Sequence, residues 1–511
     1  MKMEDDQKTE SRPQSHVNDN VPVESEAQPS DDTQEYVYNY LAAEFGLEEI
    51  SRYNKGGFHP IHMDDILNGR FEVVHKLGSG GFGTVWLCRD RQLEKWRAVK
   101  VLTADHSSDS AEARVSEFLR ENCTLEDLNQ NHIAVPLESF WIEGPNGRHL
   151  CLVMQIYGYP VSDWRLDLDN IKPSTKEDST EICGQITQAL AFLHSKGICH
   201  GDYRPSNILM KLDQDALDEL DQAQMEELLG EADSYGVNTK SGESPLPKGP
   251  EYCVIAVTST WCEKLLIPEI AVIDFGESFF IDNPSTATGI PTAYAAPEVL
   301  FNQASGGGVD LWSLACTLYE VRTRDKLFGG SFYGSKLSTV VHEMEVILGP
   351  LAKPYREVWD SEDFWGPDCK PRCIEESDNS ESPATCSLAS LQRERSEEIK
   401  GSGYDDILEA MLGAEKEQHH SLLSEDRFKP PIKYQYEREE VLALADLLKS
   451  LLKYSPEERL EAEGVLQHPW LQNTAASQKM HSSSSSHELS WAERLLSMFR
   501  NLRWASWGLF C

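Results

Sequence analysis

The sequence predicts an α+β protein with two lobes, a small β-rich lobe followed by a larger α-helical lobe that carries acidic inserts. Residues 70–155 have the pattern of strands around one helix, whereas the pattern from Thr175 onward is helical. A glycine-rich stretch between two strand-like runs predicts a hairpin in the small lobe, and a lysine follows it at Lys100. Together these observations indicate a mixed fold with a phosphate-binding hairpin near its start.

The elements of the small lobe follow from apolar spacing. A helix is predicted over Ala111–Leu128, and its apolar positions are Val115, Phe118, Leu119, Leu125 and Leu128. The mostly apolar run His149–Ile156 predicts a buried strand.

The large lobe is predicted to begin with a helix whose apolar stripe ends near Gly197. The stripe consists of Ile182, Ile186, Ala189, Leu190 and Leu193. Further helices are predicted at Val309–Arg322, Leu337–Leu348 and Arg438–Leu452. An interruption at about 211–268 is expected to hold an acidic helical stretch, Ala216–Glu231, and an apolar strand, Tyr252–Val257.

Composition predicts the following boundaries. Residues 1–50 are a disordered acidic tail, 51–158 the lead-in and small lobe, 159–472 the large lobe, and 473–511 a serine-rich linker with an amphipathic helix. That helix either packs back on the large lobe or binds a membrane surface or a partner. The chain has no run of 18 apolar residues, so no transmembrane segment is expected.

The net charge of −38 is concentrated in three segments, 1–50, 211–264 and 357–427. This disfavours direct binding of nucleic acid, whose phosphates need basic surface, and favours a basic protein partner. The alternative interpretation is that these segments are solvated and disordered, and that their charge serves only solubility. An insert is therefore expected at about 357–427 as well as at 211–268.

The glycine-rich hairpin is predicted to cover the phosphates of ATP, because glycine lets backbone N–H groups approach closely. Strand-like residues flank it on both sides, which favours a hairpin over a dinucleotide-binding turn. The residues expected to contact ATP are Leu77, Gly78, Ser79, Gly80, Gly81, Phe82, Gly83, Val85, Ala98, Lys100, Met154, Gln155 and Tyr157.

Lys100 needs a carboxylate partner to aim it at the α- and β-phosphates. We assign this partner as Glu121 on the predicted helix, with Glu117 as the alternative on the same helix. The competing interpretation of Glu121 is an exposed helix glutamate.

The run from Cys199 to Leu209 matches the catalytic loop H-x-D-x-x-x-x-N. Asp202 would accept the proton of the attacking hydroxyl, Arg204 would lie near the γ-phosphate, and Asn207 would hold Mg²⁺. Asp274 of the D-F-G run would bind the same metal. Other motifs follow in order: Asp310 is expected to anchor the catalytic loop, and Arg459 to pair with Glu298. This order of motifs predicts the two-lobed eukaryotic protein kinase fold, with ATP and Mg²⁺ as cofactors.

The sequence resembles the SR-protein kinases over roughly residues 50–470, most closely the shorter fungal members. The resemblance is carried by Tyr53–Pro60 (YNKGGFHP), Asn68–Phe71, Lys76–Cys88, the interruption after the catalytic loop, and Val341–Pro350. It implies a serine/threonine kinase acting on basic Arg/Ser-rich proteins, monomeric, and cytoplasmic and nuclear.

Gly201 departs from the pattern of many kinases, in which an arginine at this position binds an activation-loop phosphate. We therefore expect activity without loop phosphorylation, with Ser285, Thr286 and Thr288 as ordinary loop hydroxyls. Two rival functions stay open, a kinase with other protein targets and a pseudokinase scaffold that binds partners through its acidic segments.

Overall fold

The structure is a computed structural model, and it describes residues 37–39, 47–163, 176–284, 289–303, 306–330, 336–361, 364, 396–397, 399–418 and 430–472. It has the two predicted lobes. The small lobe is built on a six-stranded antiparallel sheet in the order β1-β2-β3-β4-β6-β5. These strands are Ile66–Leu67 (β1), Phe71–Gly80 (β2), Gly83–Asp90 (β3), Lys95–Leu102 (β4), Glu138–Gly144 (β5) and Gly147–Met154 (β6).

The single helix predicted over Ala111–Leu128 is in fact two helices. The small-lobe helices are Ala104–Ser107 (α1), Ala111–Asn122 (α2) and Leu125–Gln130 (α3). The chain is extended at Cys123, and the Thr124 hydroxyl accepts the backbone N–H of Asp127 in a capping box that starts α3. The sequence predicts Leu125 in the apolar stripe, but its side chain is 69% exposed. The reason is that α3 is a separate helix, whose buried face does not continue the buried face of α2.

After β6, the described residues form four small sheets and most of the helices. The strands that follow β6 are Tyr157–Pro160 (β7), Ile198–Cys199 (β8), Ile208–Leu212 (β9), Ser234–Gly236 (β10), Tyr252–Val254 (β11), Leu266–Val272 (β12), Phe279–Phe280 (β13), Lys416–Gln418 (β14) and Ile432–Tyr434 (β15). The helices are Lys176–Ser195 (α4), Gln214–Asp218 (α5), Gln222–Leu229 (α6), Pro297–Leu300 (α7), Gly308–Thr323 (α8), Leu337–Leu348 (α9), Lys353–Trp359 (α10), Ile407–Gly413 (α11), Arg438–Leu451 (α12) and Ala462–Leu466 (α13).

The core of the large lobe lies around α4 and α8. All five residues of the predicted α4 stripe are buried, as expected for an amphipathic helix packed on one face. Helix α8 is buried along its whole length, with Trp312 at its centre. The predicted helices at Val309–Arg322, Leu337–Leu348 and Arg438–Leu452 are confirmed to within one residue at each end.

The insert after the catalytic loop is ordered and packs on the small lobe, so its interpretation as a solvated disordered segment is wrong. The Trp96 indole N–H donates to the Leu220 carbonyl at 2.9 Å, and Asp218 accepts the Trp96 backbone N–H at 3.1 Å. Val254 of β11 lies in the apolar cluster beneath the small-lobe sheet. The insert therefore packs against the sheet that carries the glycine-rich hairpin.

Among the described residues, none of the helices is long and apolar enough to cross a membrane. The amphipathic helix predicted within 473–511, most of the acidic insert at 357–427, and Ser285, Thr286 and Thr288 lie outside the described residues.

Candidate active site

The glycine-rich hairpin joins β2 to β3, as the sequence predicted. At Gly78, Gly80 and Gly81 a Cβ atom would meet nothing within 4 Å, so the backbone there faces open space. Gly83 is different, because a Cβ would lie 2.3 Å from the carbonyl oxygen of Val101 on β4. Three of the glycines can therefore approach phosphates, whereas Gly83 is required by the packing of the hairpin on its neighbouring strand.

The apolar residues predicted to contact ATP lie on adjacent strands. Ala98 is opposite Met154 in the β4–β6 pairing, and Val85 is opposite Lys100 in the β3–β4 pairing. Leu77, Val85 and Met154 pack, partly buried, against the same cluster that contains Ala98. The sheet thus brings these four side chains to one face.

The segment that follows Met154 joins the two lobes, and the insert contacts it. The Gln214 amide donates to the carbonyl of Ile156 at 2.8 Å. Tyr157 lies beside Gln155, with the two side chains 3.5 Å apart. Sequence reasoning missed Gln214, since nothing in the sequence shows that the start of α5 returns to this segment.

Lys100 bridges two carboxylates at the base of the cleft. Its Nζ donates to Glu112 Oε2 at 2.6 Å and to Asp274 Oδ1 at 2.8 Å. Burial lowers the pKa of Lys100, but the charges of Asp274 and Glu112 outweigh burial and raise the pKa above its usual value. Lys100 is therefore a permanent cation held at the position where phosphates would meet Asp274.

The assignment of Glu121 as the partner of Lys100 is wrong, and so is the alternative Glu117. Both glutamates are exposed, whereas Glu112 is 3% exposed and lies at the N-terminal end of α2. At 100° per residue, nine residues along a helix correspond to a rotation of about 180°, so Glu121 faces away from Glu112. The sequence did contain the signal, because Glu112 precedes the buried Val115 and Leu119 by three and seven residues on the same face.

The catalytic loop places Asp202, Arg204 and Asn207 together. Arg204 Nε lies 2.9 Å and 3.0 Å from the two carboxylate oxygens of Asp202, and the Asn207 amide donates to Asp202 Oδ2 at 2.7 Å. Burial raises the pKa of Asp202, and the Arg204 guanidinium opposes this rise. Asp202 is therefore a carboxylate held in a fixed orientation beside a cation, as proton acceptance in phosphoryl transfer requires.

Asp310 anchors this loop, as predicted. Its carboxylate accepts the backbone N–H groups of His200 at 2.7 Å and Gly201 at 3.0 Å, and it lies 3.0 Å from the His194 ring. The predicted pair of Arg459 with Glu298 is also confirmed, with two contacts of 2.6 Å and 2.7 Å in a buried position. Asp310 thus fixes the backbone of the catalytic loop, whereas the Arg459 pair joins α7 to the segment that precedes α13.

Gly201 has a left-handed backbone with φ of 79°, and an added Cβ would lie 2.3 Å from the carbonyl oxygen of Glu277. The carboxylate of Glu277 in turn accepts the backbone N–H of Gly289 at 2.7 Å. The Glu277 carboxylate thus joins the start of the activation segment, just after Asp274, to Gly289, which lies 12 residues after Glu277. Sequence reasoning identified Gly201 as a departure but missed Glu277.

Asn207 and Asp274 fit a magnesium ion by their chemistry, since amide and carboxylate oxygens are the ligands this cation prefers. The side chain of Asp274 is 30% exposed, although Lys100 engages one of its oxygens. Burial opposes ionisation of Asp274, but Lys100 outweighs burial and lowers the pKa. In the described part of the chain, no group of three or more His, Cys, Asp or Glu side chains could hold a metal. A magnesium ion held by Asn207 and Asp274 would take its other ligands from phosphates and water.

The chain matches a known family on both sides of the insert. The family profile described as "Protein kinase domain" matches residues 71–220 and 263–471, and the break between the two ranges falls in the insert. A solved crystal structure of a kinase domain aligns with 81% of this chain and 98% of its own, at 22% identity and a TM-score of 0.48.

Curated relatives of this chain include SR-protein kinases, as the sequence resemblance predicted. SRSF protein kinase 3 of Homo sapiens is 35% identical over 32% of this chain and 29% of its own length. Serine/threonine-protein kinase SRPK of Physarum polycephalum is 28% identical over 55% of this chain and 67% of its own. Protein kinase dsk1 of Schizosaccharomyces pombe is 33% identical over 34% of this chain and 32% of its own. The matched region thus spans less than a third of the human relative.

Proposed function

Because the chain belongs to the protein kinase family, we propose that it is an ATP-dependent serine/threonine kinase that phosphorylates serines in Arg/Ser-rich proteins. The observation that carries the proposal is the arrangement of Asp202, Arg204 and Asn207 beside a lysine that bridges Glu112 and Asp274. Every group that phosphoryl transfer needs is therefore present with a partner that orients it.

In this mechanism the serine hydroxyl oxygen forms a bond to the γ-phosphorus while the bond from that phosphorus to ADP breaks. Asp202 accepts the proton that the hydroxyl loses. Arg204 and Lys100 offset the negative charge of the phosphates. Such electrostatic stabilisation of the transition state is usually the largest contribution to catalysis. Asn207 and Asp274 would hold magnesium, which supplies further charge neutralisation when bound.

Arg/Ser-rich substrates are supported by the names of the relatives and by negative charge near the catalytic loop. Glu277, whose backbone lies against Gly201, adds a carboxylate to those of Asp202 and Asp274 beside the catalytic loop. A cavity of about 370 Å³ between the α8–α9 connection and α11 includes Asp325 and Glu343 in its lining, together with Lys326 and His342. We propose this cavity as a docking position for arginine, whose guanidinium pairs with carboxylates in two parallel hydrogen bonds.

Activity without phosphorylation of the activation segment is part of the proposal. The contact between Glu277 and the N–H of Gly289 supports it, because a resident carboxylate already links two parts of that segment. Gly201 supplies no side chain that could bind a phosphate there. Treating the purified protein with a phosphatase should leave its initial rate unchanged, whereas a rate that falls with dephosphorylation would contradict this part.

The test of the proposed function is transfer of labelled phosphate from Mg·ATP to an Arg/Ser-repeat protein, with Asp202→Ala as the blank. A repeat with lysine in place of arginine and a proline-directed peptide serve as matched substrates. Selective labelling of the Arg/Ser repeat is expected. Equal labelling of all three would retain the kinase and discard the substrate class, and no labelling above the blank would favour a scaffold.

A further inference from the structure

The lead-in to the first strand contacts both ends of the glycine-rich hairpin. At the base, the Lys76 ammonium on β2 forms a fully buried ion pair with Glu48, which also accepts the Tyr53 hydroxyl at 2.6 Å. At the tip, the Arg52 guanidinium donates to the carbonyl of Gly81. The short segment 48–53 therefore contacts the hairpin both at its base and at its tip.

Arg52 is itself held in place by the YNKGGFHP motif. Its guanidinium lies 4.8 Å from the centre of the Phe58 ring, and the Phe58 N–H donates to the Arg52 carbonyl at 3.0 Å. This turn needs glycine at position 57, since a Cβ there would lie 1.7 Å from the Arg52 carbonyl oxygen. Phe58 is buried, so the ring offers the guanidinium a fixed surface.

The other side of the hairpin tip is held by the segment that links β4 to α1. The carbonyl of Phe82 accepts the Thr103 N–H at 2.9 Å, and the Phe82 ring packs edge-on against His106 at 4.9 Å. The backbone of that same segment is tied to the lead-in, because Ala104 N–H donates to the Gly57 carbonyl at 3.0 Å. The Gly81 carbonyl and the Phe82 carbonyl thus have separate partners.

We propose that Arg52 is a positioning residue for the nucleotide, which acts by fixing the peptide unit between Gly81 and Phe82. This peptide unit is planar and trans, so holding its carbonyl toward Arg52 directs the Phe82 N–H the opposite way. That N–H is one of the donors a glycine-rich hairpin offers to phosphates. Holding the tip before ATP binds lowers the entropy lost on binding. Around Gly78, Gly80 and Gly81 no neighbouring atom would limit the hairpin, so Arg52 supplies a restraint that packing there does not.

This inference rests on the proposed function, and its test measures nucleotide binding directly. Three full-length variants are compared with the wild type: Arg52→Ala, Arg52→Lys, and the control Lys55→Ala, which removes an exposed cation from the same segment. The readouts are the Kd for Mg·ATP at equilibrium, the KM for ATP, kcat, and the melting temperature without nucleotide.

In Arg52→Ala we expect both the Kd and the KM for ATP to rise about fivefold, the size of effect that loss of one charge-assisted hydrogen bond produces. The values of kcat and the melting temperature should stay at wild-type level. Arg52→Lys keeps the charge and a donor and should recover part of the affinity, and Lys55→Ala should match the wild type.

Unchanged ATP affinity in Arg52→Ala would overturn the inference while leaving the proposed function intact. A lower melting temperature with a matching loss of kcat and an unchanged KM would also overturn it, because that pattern belongs to a residue that only stabilises the fold. A wild-type protein that binds no Mg·ATP would instead overturn the proposed function itself.

Discussion

Lys100 and Glu112 form a buried ion pair of 2.6 Å that joins strand β4 to the first turn of helix α2. The same ammonium contacts Asp274 at 2.8 Å, so one cation fixes the small lobe, the helix and the start of the activation segment relative to one another. Protein kinases need such a lysine–glutamate pair together with an aspartate that binds magnesium, the role that we propose for Asp274.

The first prediction concerns this pair. Glu112→Gln removes the negative charge that orients Lys100. It should lower kcat by about a hundredfold, because a displacement of Lys100 by about 1 Å is enough for a loss of that size. Glu121→Gln is the matched control on the same helix and should stay close to wild type. Steady-state kinetics with saturating substrates decide between them, and the reverse order of effects would restore Glu121 as the partner.

The second prediction concerns pH. The pKa of Asp202 is raised by burial and held down by Arg204, so acidification protonates Asp202 at a higher pH than an ordinary aspartate. Arg204→Ala removes the opposing charge, and the acidic limb of the pH profile of kcat/KM should move to higher pH. Arg204→Lys keeps the charge and should leave the limb near its wild-type position. A limb that stays fixed in Arg204→Ala would contradict the role of Asp202 as the titrating base.

The third prediction separates strain from close packing at Gly201. Gly197 and Gly201 both have left-handed backbones, with φ of 72° and 79°, but only at Gly201 would a Cβ meet a neighbouring atom. Gly197→Ala should cost about 1–2 kcal/mol of unfolding free energy from the backbone alone. Gly201→Ala should cost about 2–5 kcal/mol, because the overpacking against Glu277 adds to the strain. Urea unfolding measures both, and equal costs would show that the segment at Glu277 moves aside freely.

The fourth prediction concerns the buried pair of Glu48 and Lys76. Glu48→Gln keeps an acceptor for the Tyr53 hydroxyl but leaves the Lys76 ammonium without its carboxylate, at a cost of about 3–5 kcal/mol. The double variant Glu48→Leu/Lys76→Met removes both charges and should recover most of that stability. A double variant less stable than Glu48→Gln, measured by urea unfolding, would mean that the charged pair itself stabilises the fold.

Short-range spacing determined most of the catalytic site. Asp202, Arg204 and Asn207 fall within six residues, and Asp274 directly follows a buried strand, so local geometry already fixes what each can reach. The same holds for the hairpin glycines and for Lys100, which lie on β2, β3, β4 and the turn between β2 and β3. These residues could be predicted because their chemistry requires one residue type at one offset.

Long-range relationships could not be predicted in this way. The choice of Glu112 over Glu121 depends on which face of α2 turns toward β4, and periodicity alone does not say which buried face meets which neighbour. The contact of Gln214 with Ile156 depends on the path of the insert, and its acidic composition fitted a solvated segment equally well.

The sequence by itself therefore determined the kinase fold, the order of its motifs and the groups that carry the chemistry. Only the tertiary structure decided the partner of Lys100, the packing of the insert on the small lobe, and the hydrogen bond from Arg52 to the hairpin tip. The physical reason is that motif chemistry is encoded over a few residues. Ion pairs and lobe contacts join residues far apart in the chain, and their geometry exists only after the helices and strands have packed.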